Sequence, residues 1–166
     1  MCTHEEHGFL NVLCDEELFG TQEIKLRYFL WQQETEDLSE NLQFVQKHFK
    51  EMYQAVLEGV FIAYNKSPKW DVWDEKTDTF SRIEFHDYKE IHNYIGTPTI
   101  DVMLHRKKIL FGLSFYRGNR LSMEHGLTAV LENCKLLLID SDDFCNILCN
   151  WDLPGGNAYI ESLYIE

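Results

Sequence analysis

A chain of 166 residues, 45% hydrophobic and 26% charged, is long enough to bury a core and too well balanced to be disordered throughout. Its 28 Asp and Glu against 15 Lys and Arg give a formal net charge of −13. Such a surplus repels phosphate backbones and anionic lipid, which argues against nucleic acid and membrane surfaces as partners and favours a basic protein.

The N-terminal stretch Met1-Cys2-Thr3-His4-Glu5-Glu6-His7 has neither the basic nor the apolar region of a secretory signal. No apolar run approaches the ~20 residues that span a bilayer. Five cysteines are an odd number without a paired framework, so free thiols in a reducing compartment are expected. These features predict a single cytoplasmic domain over residues 1–166.

In chain order, residues 9–13 form a brief strand candidate and Gly20-Thr21-Gln22 a turn. Residues 24–31 alternate, with Ile24, Leu26, Tyr28 and Leu30 on one side and Lys25, Arg27, Phe29 and Trp31 on the other, as in a half-buried strand. A long helix follows. Asp37 is its expected N-cap, with Glu40 completing a variant capping box. Leu42, Val45, Phe49, Met52, Val56, Val60 and Ala63 recur at helical spacing, and Phe44, His48, Tyr53, Leu57 and Phe61 widen the stripe. Ser67-Pro68 marks its end. Residues 66–81 are the least regular stretch and hold Trp70 and Trp73 among Asp71, Asp74, Glu75 and Asp78.

Residues 88–95 read as a short helix closed by Gly96-Thr97-Pro98, and a meander follows. Ile100, Val102 and Leu104 alternate, and His105-Arg106-Lys107-Lys108 connects them to residues 109–116. That run is nearly all apolar and suits a central strand buried on both faces. Residues 127–132 and 136–140 are two further strands joined through Asn133-Cys134-Lys135. A short helix is expected from Asp140-Ser141-Asp142. Residues 151–157 read as a turn before a last strand or helix over 158–165. The fold class is α+β: an antiparallel sheet of about five to six strands, a long amphipathic helix packed on one face, and short flanking helices.

Reactive constellations are sparse. Glu124 and His125 are adjacent, so on a strand they point to opposite faces and serve better as hydrogen-bonding groups than as an acid/base pair. Cys2, His4 and His7 have the spacing of an incomplete metal site, and Cys145 and Cys149 share a helix face as buried thiols do. Neither a Gly-x-Ser-x-Gly elbow nor a phosphate-binding glycine loop is present. No catalytic residue, metal or cofactor is expected. By contrast, the stretch Trp70-Asp71-Val72-Trp73-Asp74-Glu75 suits a protein interface, with indoles supplying buried area and carboxylates selecting a basic partner. The bland alternative is a loop that folds its indoles back onto the domain.

The C-terminal half resembles a known family. Tyr88-Lys89-Glu90-Ile91 with Ile95-Gly96-Thr97-Pro98-Thr99-Ile100, then Leu110-Phe111-Gly112-Leu113-Ser114-Phe115, then Met123-Glu124-His125-Gly126-Leu127-Thr128-Ala129-Val130 and Leu138-Ile139-Asp140-Ser141-Asp142-Asp143 follow its order. It is the family of bacterial α/β domains with a Trp-Asp-x-Glu-His-Gly-Leu-Gly signature, encoded beside polymorphic toxins and contact-dependent inhibition systems and taken to be immunity proteins. The likeness spans residues 86–145. Leu121-Ser122 stands where the signature has Trp-Asp, and Thr128 replaces its second glycine.

The resemblance implies a cytoplasmic immunity protein that binds and neutralises one cognate toxin, for which a basic nuclease would be a fitting target. Expected contacts are Trp70, Asp71, Trp73, Asp74, Asp140, Asp142 and Asp143. The alternatives are a regulatory binding module with no toxin, and a small metal-dependent hydrolase using Glu124, His125 and His105.

Overall fold

Burial of one long apolar helix stripe against a sheet organises the chain. The structure is a computed structural model that describes residues 6–31, 37–67, 70–121, 126–141, 144 and 147–148. Its strands are β1 (Glu6–Leu13), β2 (Glu23–Trp31), β3 (Val72–Asp74), β4 (Thr79–Ser81), β5 (Thr99–His105), β6 (Lys108–Phe115), β7 (Leu127–Glu132) and β8 (Lys135–Asp140). Helices are α1 (Glu16–Phe19), α2 (Asn41–Lys66) and α3 (His92–Ile95), the last preceded by a 3-10 turn at Tyr88–Ile91.

A six-stranded sheet runs in the order β1-β2-β5-β6-β7-β8, and β3-β4 form a separate two-stranded hairpin. The expected α+β architecture is therefore present, with one difference in strand direction. β2 and β5 pair in parallel, Tyr28 opposite Ile100 and Leu30 opposite Val102, while the other neighbours are antiparallel. A parallel neighbour requires a long crossover, and α2 with the hairpin behind it provides one. The sheet is mixed.

Sheet and helix share one buried cluster. Leu10, Val12, Leu26, Leu30, Ile100, Val102, Phe111, Leu113, Ala129 and Leu131 meet Val45, Phe49, Met52, Val56 and Val60 of α2. On the opposite face Met103, Leu110, Val130 and Leu138 pack with Phe144, Ile147 and Leu148. β6 is thus covered on both sides, as its apolar run predicts. Gly112 sits where a Cβ would lie 2.5 Å from a ring carbon of Phe144, so that close approach requires a glycine.

Local signals fall within a few residues of their expected places. Asp37 accepts a hydrogen bond from the Ser39 amide at 2.8 Å, one turn ahead of α2 proper. The chain then enters α2 through short-range bonds from Asn41 and Leu42 to Leu38 and Ser39, and Glu40 supplies no side-chain cap. The β5–β6 connection is a two-residue turn in which Arg106 and Lys107 both take left-handed backbone angles, as a type I′ hairpin demands. The region expected after residue 150 lies outside the described residues.

Candidate functional site

Strands β3 and β4 are each three residues long, and their alternation decides what they present. Val72 is buried, 1% exposed, and pins the base of the hairpin, while Trp73 points the other way. Trp73 lies directly opposite Phe80, with ring centroids 4.8 Å apart and tilted by 53°. Phe80 is 55% exposed, so the pair forms an aromatic ridge at the surface. Asp74 Oδ1 accepts from the Lys76 amide at 2.8 Å, the Thr77 and Thr79 hydroxyls are 2.7 Å apart, and Asp78 takes a positive φ of 54°. These contacts shape a tip carrying Asp74, Glu75 and Asp78 against one ammonium, Lys76.

The hairpin is fastened to the domain mainly through one cation. Arg82 donates to the carbonyl oxygens of Ser67 at 2.8 Å, Trp70 at 2.7 Å and Tyr64 at 2.6 Å. Its guanidinium also lies 3.9 Å from the centre of the Tyr64 ring. The Ser67 and Tyr64 carbonyls belong to the C-terminal end of α2, where a cation is favoured by the helix dipole. Tyr64 is fully buried and fixes the following residue, its hydroxyl donating to the Ile83 carbonyl at 2.8 Å and accepting from the Ile83 amide at 2.9 Å. On the other strand, the Trp73 amide donates to the Arg120 carbonyl at 2.7 Å and Val72 bridges Leu121.

Of the residues expected at an interface, Trp70, Asp71, Trp73 and Asp74 converge on this hairpin and its entry. Trp70 folds back, half-buried against the main core, whereas Trp73 stands on the ridge. Both indoles are half-buried, and of the two Trp70 is the one packed against the main core. Asp140 is a correction. It lies in β8, 7% exposed, opposite the buried Thr128, and its Oδ1 accepts from the Ser141 amide at 2.6 Å. A carboxylate so enclosed at a strand end does not offer itself as a surface contact. Asp142 and Asp143 lie outside the described residues, as do Glu124, His125, Cys2, His4, Cys145 and Cys149.

Three groupings escaped the sequence reading. The first is internal: Asp101, 4% exposed, accepts from Trp31 Nε1 and from Ser114 Oγ, both at 2.8 Å, and Thr128 Oγ1 reaches Ser114 Oγ at 3.4 Å. The bonds satisfy a buried carboxylate that would otherwise be costly. A second surface lies on the sheet face away from α2. Phe9, 60% exposed, carries Lys25 and Arg27 over its ring at 4.9 and 5.9 Å. Beside it a concavity of about 370 Å³ is lined by Arg27, Phe29, Pro98, Tyr116 and Arg117 among others. This surface is aromatic like the hairpin, but cationic where the hairpin is acidic.

The third grouping sets His48, Glu51 and Cys134 with their donor atoms all within 4.8 Å of one another. Hydrogen bonding, first from His48 and then from Cys134, holds the Glu51 carboxyl below its ordinary range. Burial, with Glu51 adding to it, pushes the Cys134 thiol up to about 11.

No family model, curated protein or solved structure matches this chain.

Proposed function

We propose that this chain is a binding protein of the immunity type, which sequesters a basic toxin through the hairpin of β3 and β4. The observation that carries the reading is the hairpin itself, on which half-buried Trp73 and exposed Phe80 pair their rings among carboxylates, fastened to the core by Arg82. Two large rings offer apolar area at small entropic cost, and the surrounding Asp71, Asp74, Glu75 and Asp78 suit a cationic groove built to hold phosphates. The net charge of −13 adds long-range attraction, so the encounter rate with a basic partner falls as salt rises. Among the described residues no helix is long and apolar enough to cross a membrane. The reading places the encounter in the cytoplasm, where a toxin must be met before it acts.

Co-expression with a candidate basic toxin domain, sought first in the genes adjacent to the chain's own, tests this. The chain is expected to co-purify with that domain and to restore growth. Replacing both Trp73 and Phe80 with alanine is expected to weaken the complex by about 30-fold or more, the loss typical of central aromatic anchors. Growth rescue undiminished by the double substitution, in a folded variant, would remove the hairpin from the interface.

A further inference from the structure

We infer that His48, Glu51 and Cys134 form a binding site for one zinc-class divalent ion, with three protein donors and a fourth position open to solvent. His48 and Glu51 are three residues apart in α2, which sets them on one helix face. Cys134 comes from the tight turn between β7 and β8, where Asn133 takes a left-handed φ of 54°, and α2 lies against β8. Packing of helix on sheet therefore joins donors 83 residues apart in sequence.

Geometry and chemistry both match such an ion. His48 Nδ1 is 3.0 Å from Glu51 Oε2, and Cys134 Sγ is 3.4 Å from that same oxygen. Zinc bonds of about 2.0–2.3 Å in a tetrahedral arrangement separate neighbouring donors by roughly 3.3–3.7 Å, so small side-chain rotations admit the ion. The imidazole is already oriented. It stacks on Phe44 with centroids 4.5 Å apart, and Phe44 stacks in turn on Phe111 of the central strand at 5.3 Å. One nitrogen, one carboxylate and one sulfur are a borderline-soft donor set, suited to zinc or cobalt and poor for calcium or magnesium, which need oxygen shells. Glu51 and His48 are 65% and 39% exposed at their side chains, which gives the ion an entry path. On binding, the metal–sulfur bond replaces the sulfur–hydrogen bond and the thiol proton leaves to solvent. The site is independent of the hairpin, so its failure would leave the proposed function untouched.

The test is a titration of the full, reduced, chelator-free chain with Co²⁺, following the thiolate-to-cobalt absorption in the near ultraviolet, then displacement by Zn²⁺. One equivalent is expected to bind, and Cys134→Ser is expected to abolish the band. His48→Gln and Glu51→Gln, both at accessible helix positions, should each weaken binding at least about tenfold. They decide the matter alone if the cysteine variant fails to fold. A combined Cys2→Ser, His4→Gln, His7→Gln variant should bind as the parent does. Absence of a cobalt–thiolate band in the parent chain overturns the site, as does a band unaffected by the three site substitutions. Loss of the band in the N-terminal variant would assign the metal to that segment and also overturn it.

Discussion

Strands β6 and β7 and strands β3 and β4 are both antiparallel pairs, yet opposite means hold them. Phe111, Leu113 and Phe115 of β6, with Leu127, Ala129 and Leu131 of β7, belong to the core shared with α2, and Leu110 and Val130 belong to the smaller core on the other face. The hairpin buries Val72 and leaves Thr79, Phe80 and Ser81 exposed, so a cation and a tyrosine keep it in place. Burial makes the first pair a scaffold. Sparse anchoring lets the second display aromatic rings without sacrificing them to the core. The comparison teaches that position at this surface is set by hydrogen bonds to carbonyls, while stability is set elsewhere.

The largest effect is expected where burial acts. Leu113→Ala removes a fully buried side chain between α2 and the sheet and should cost about 2–5 kcal/mol of global stability, measured by denaturant unfolding. Arg82→Ala should cost less, about 1–2 kcal/mol given its solvent-facing position. Its signature should be local: amide exchange faster across residues 72–81 and unchanged in β6 and β7. A global loss as large as that of Leu113→Ala would erase the distinction between the two strand pairs. Trp73→Ala should be milder still for folding, within about 1 kcal/mol, because its ring is only half-buried and pairs with exposed Phe80.

The smallest effect is a pH dependence. Burial lowers the His92 imidazole below its usual range, and the Tyr53 hydroxyl, 2.7 Å from His92 Nδ1, is pushed upward by burial and stays protonated. The neutral ring that accepts from Tyr53 is thus the form the fold favours. The unfolded chain takes up its histidine proton near about pH 6.5, before the folded one does. This contribution is therefore fully present above that value and is lost as pH falls from it towards the lower folded-state value. Melting temperatures measured from pH 7.5 to pH 5 should fall less steeply in His92→Gln than in the parent chain.

How much of this was legible in the residues follows from the range of the interactions. The α2 stripe from Leu42 to Val60 and the apolar run of β6 carry their own periodicity over many residues, and both elements fall where that pattern places them. Three-residue strands carry too little alternation to identify, so β3 and β4 read only as an irregular, tryptophan-rich stretch. The parallel β2–β5 pairing depends on the path of the crossover and leaves no local trace. His48 reads as one more member of the helix stripe and Cys134 as a turn residue, because nothing in either neighbourhood announces a partner 86 positions away. The same reasoning explains Asp140. Acidic residues at a strand end read as exposed until the pairing of β7 with β8 encloses one of them.

The proposed role and the contrast between the two aromatic surfaces meet in one measurement: amide hydrogen exchange of the chain alone and saturated with the basic toxin partner proposed for it. The account predicts new protection concentrated in residues 72–81, with the strands bearing Phe9, Lys25 and Arg27 unchanged. Protection on that cationic sheet face with the hairpin unaffected would contradict it.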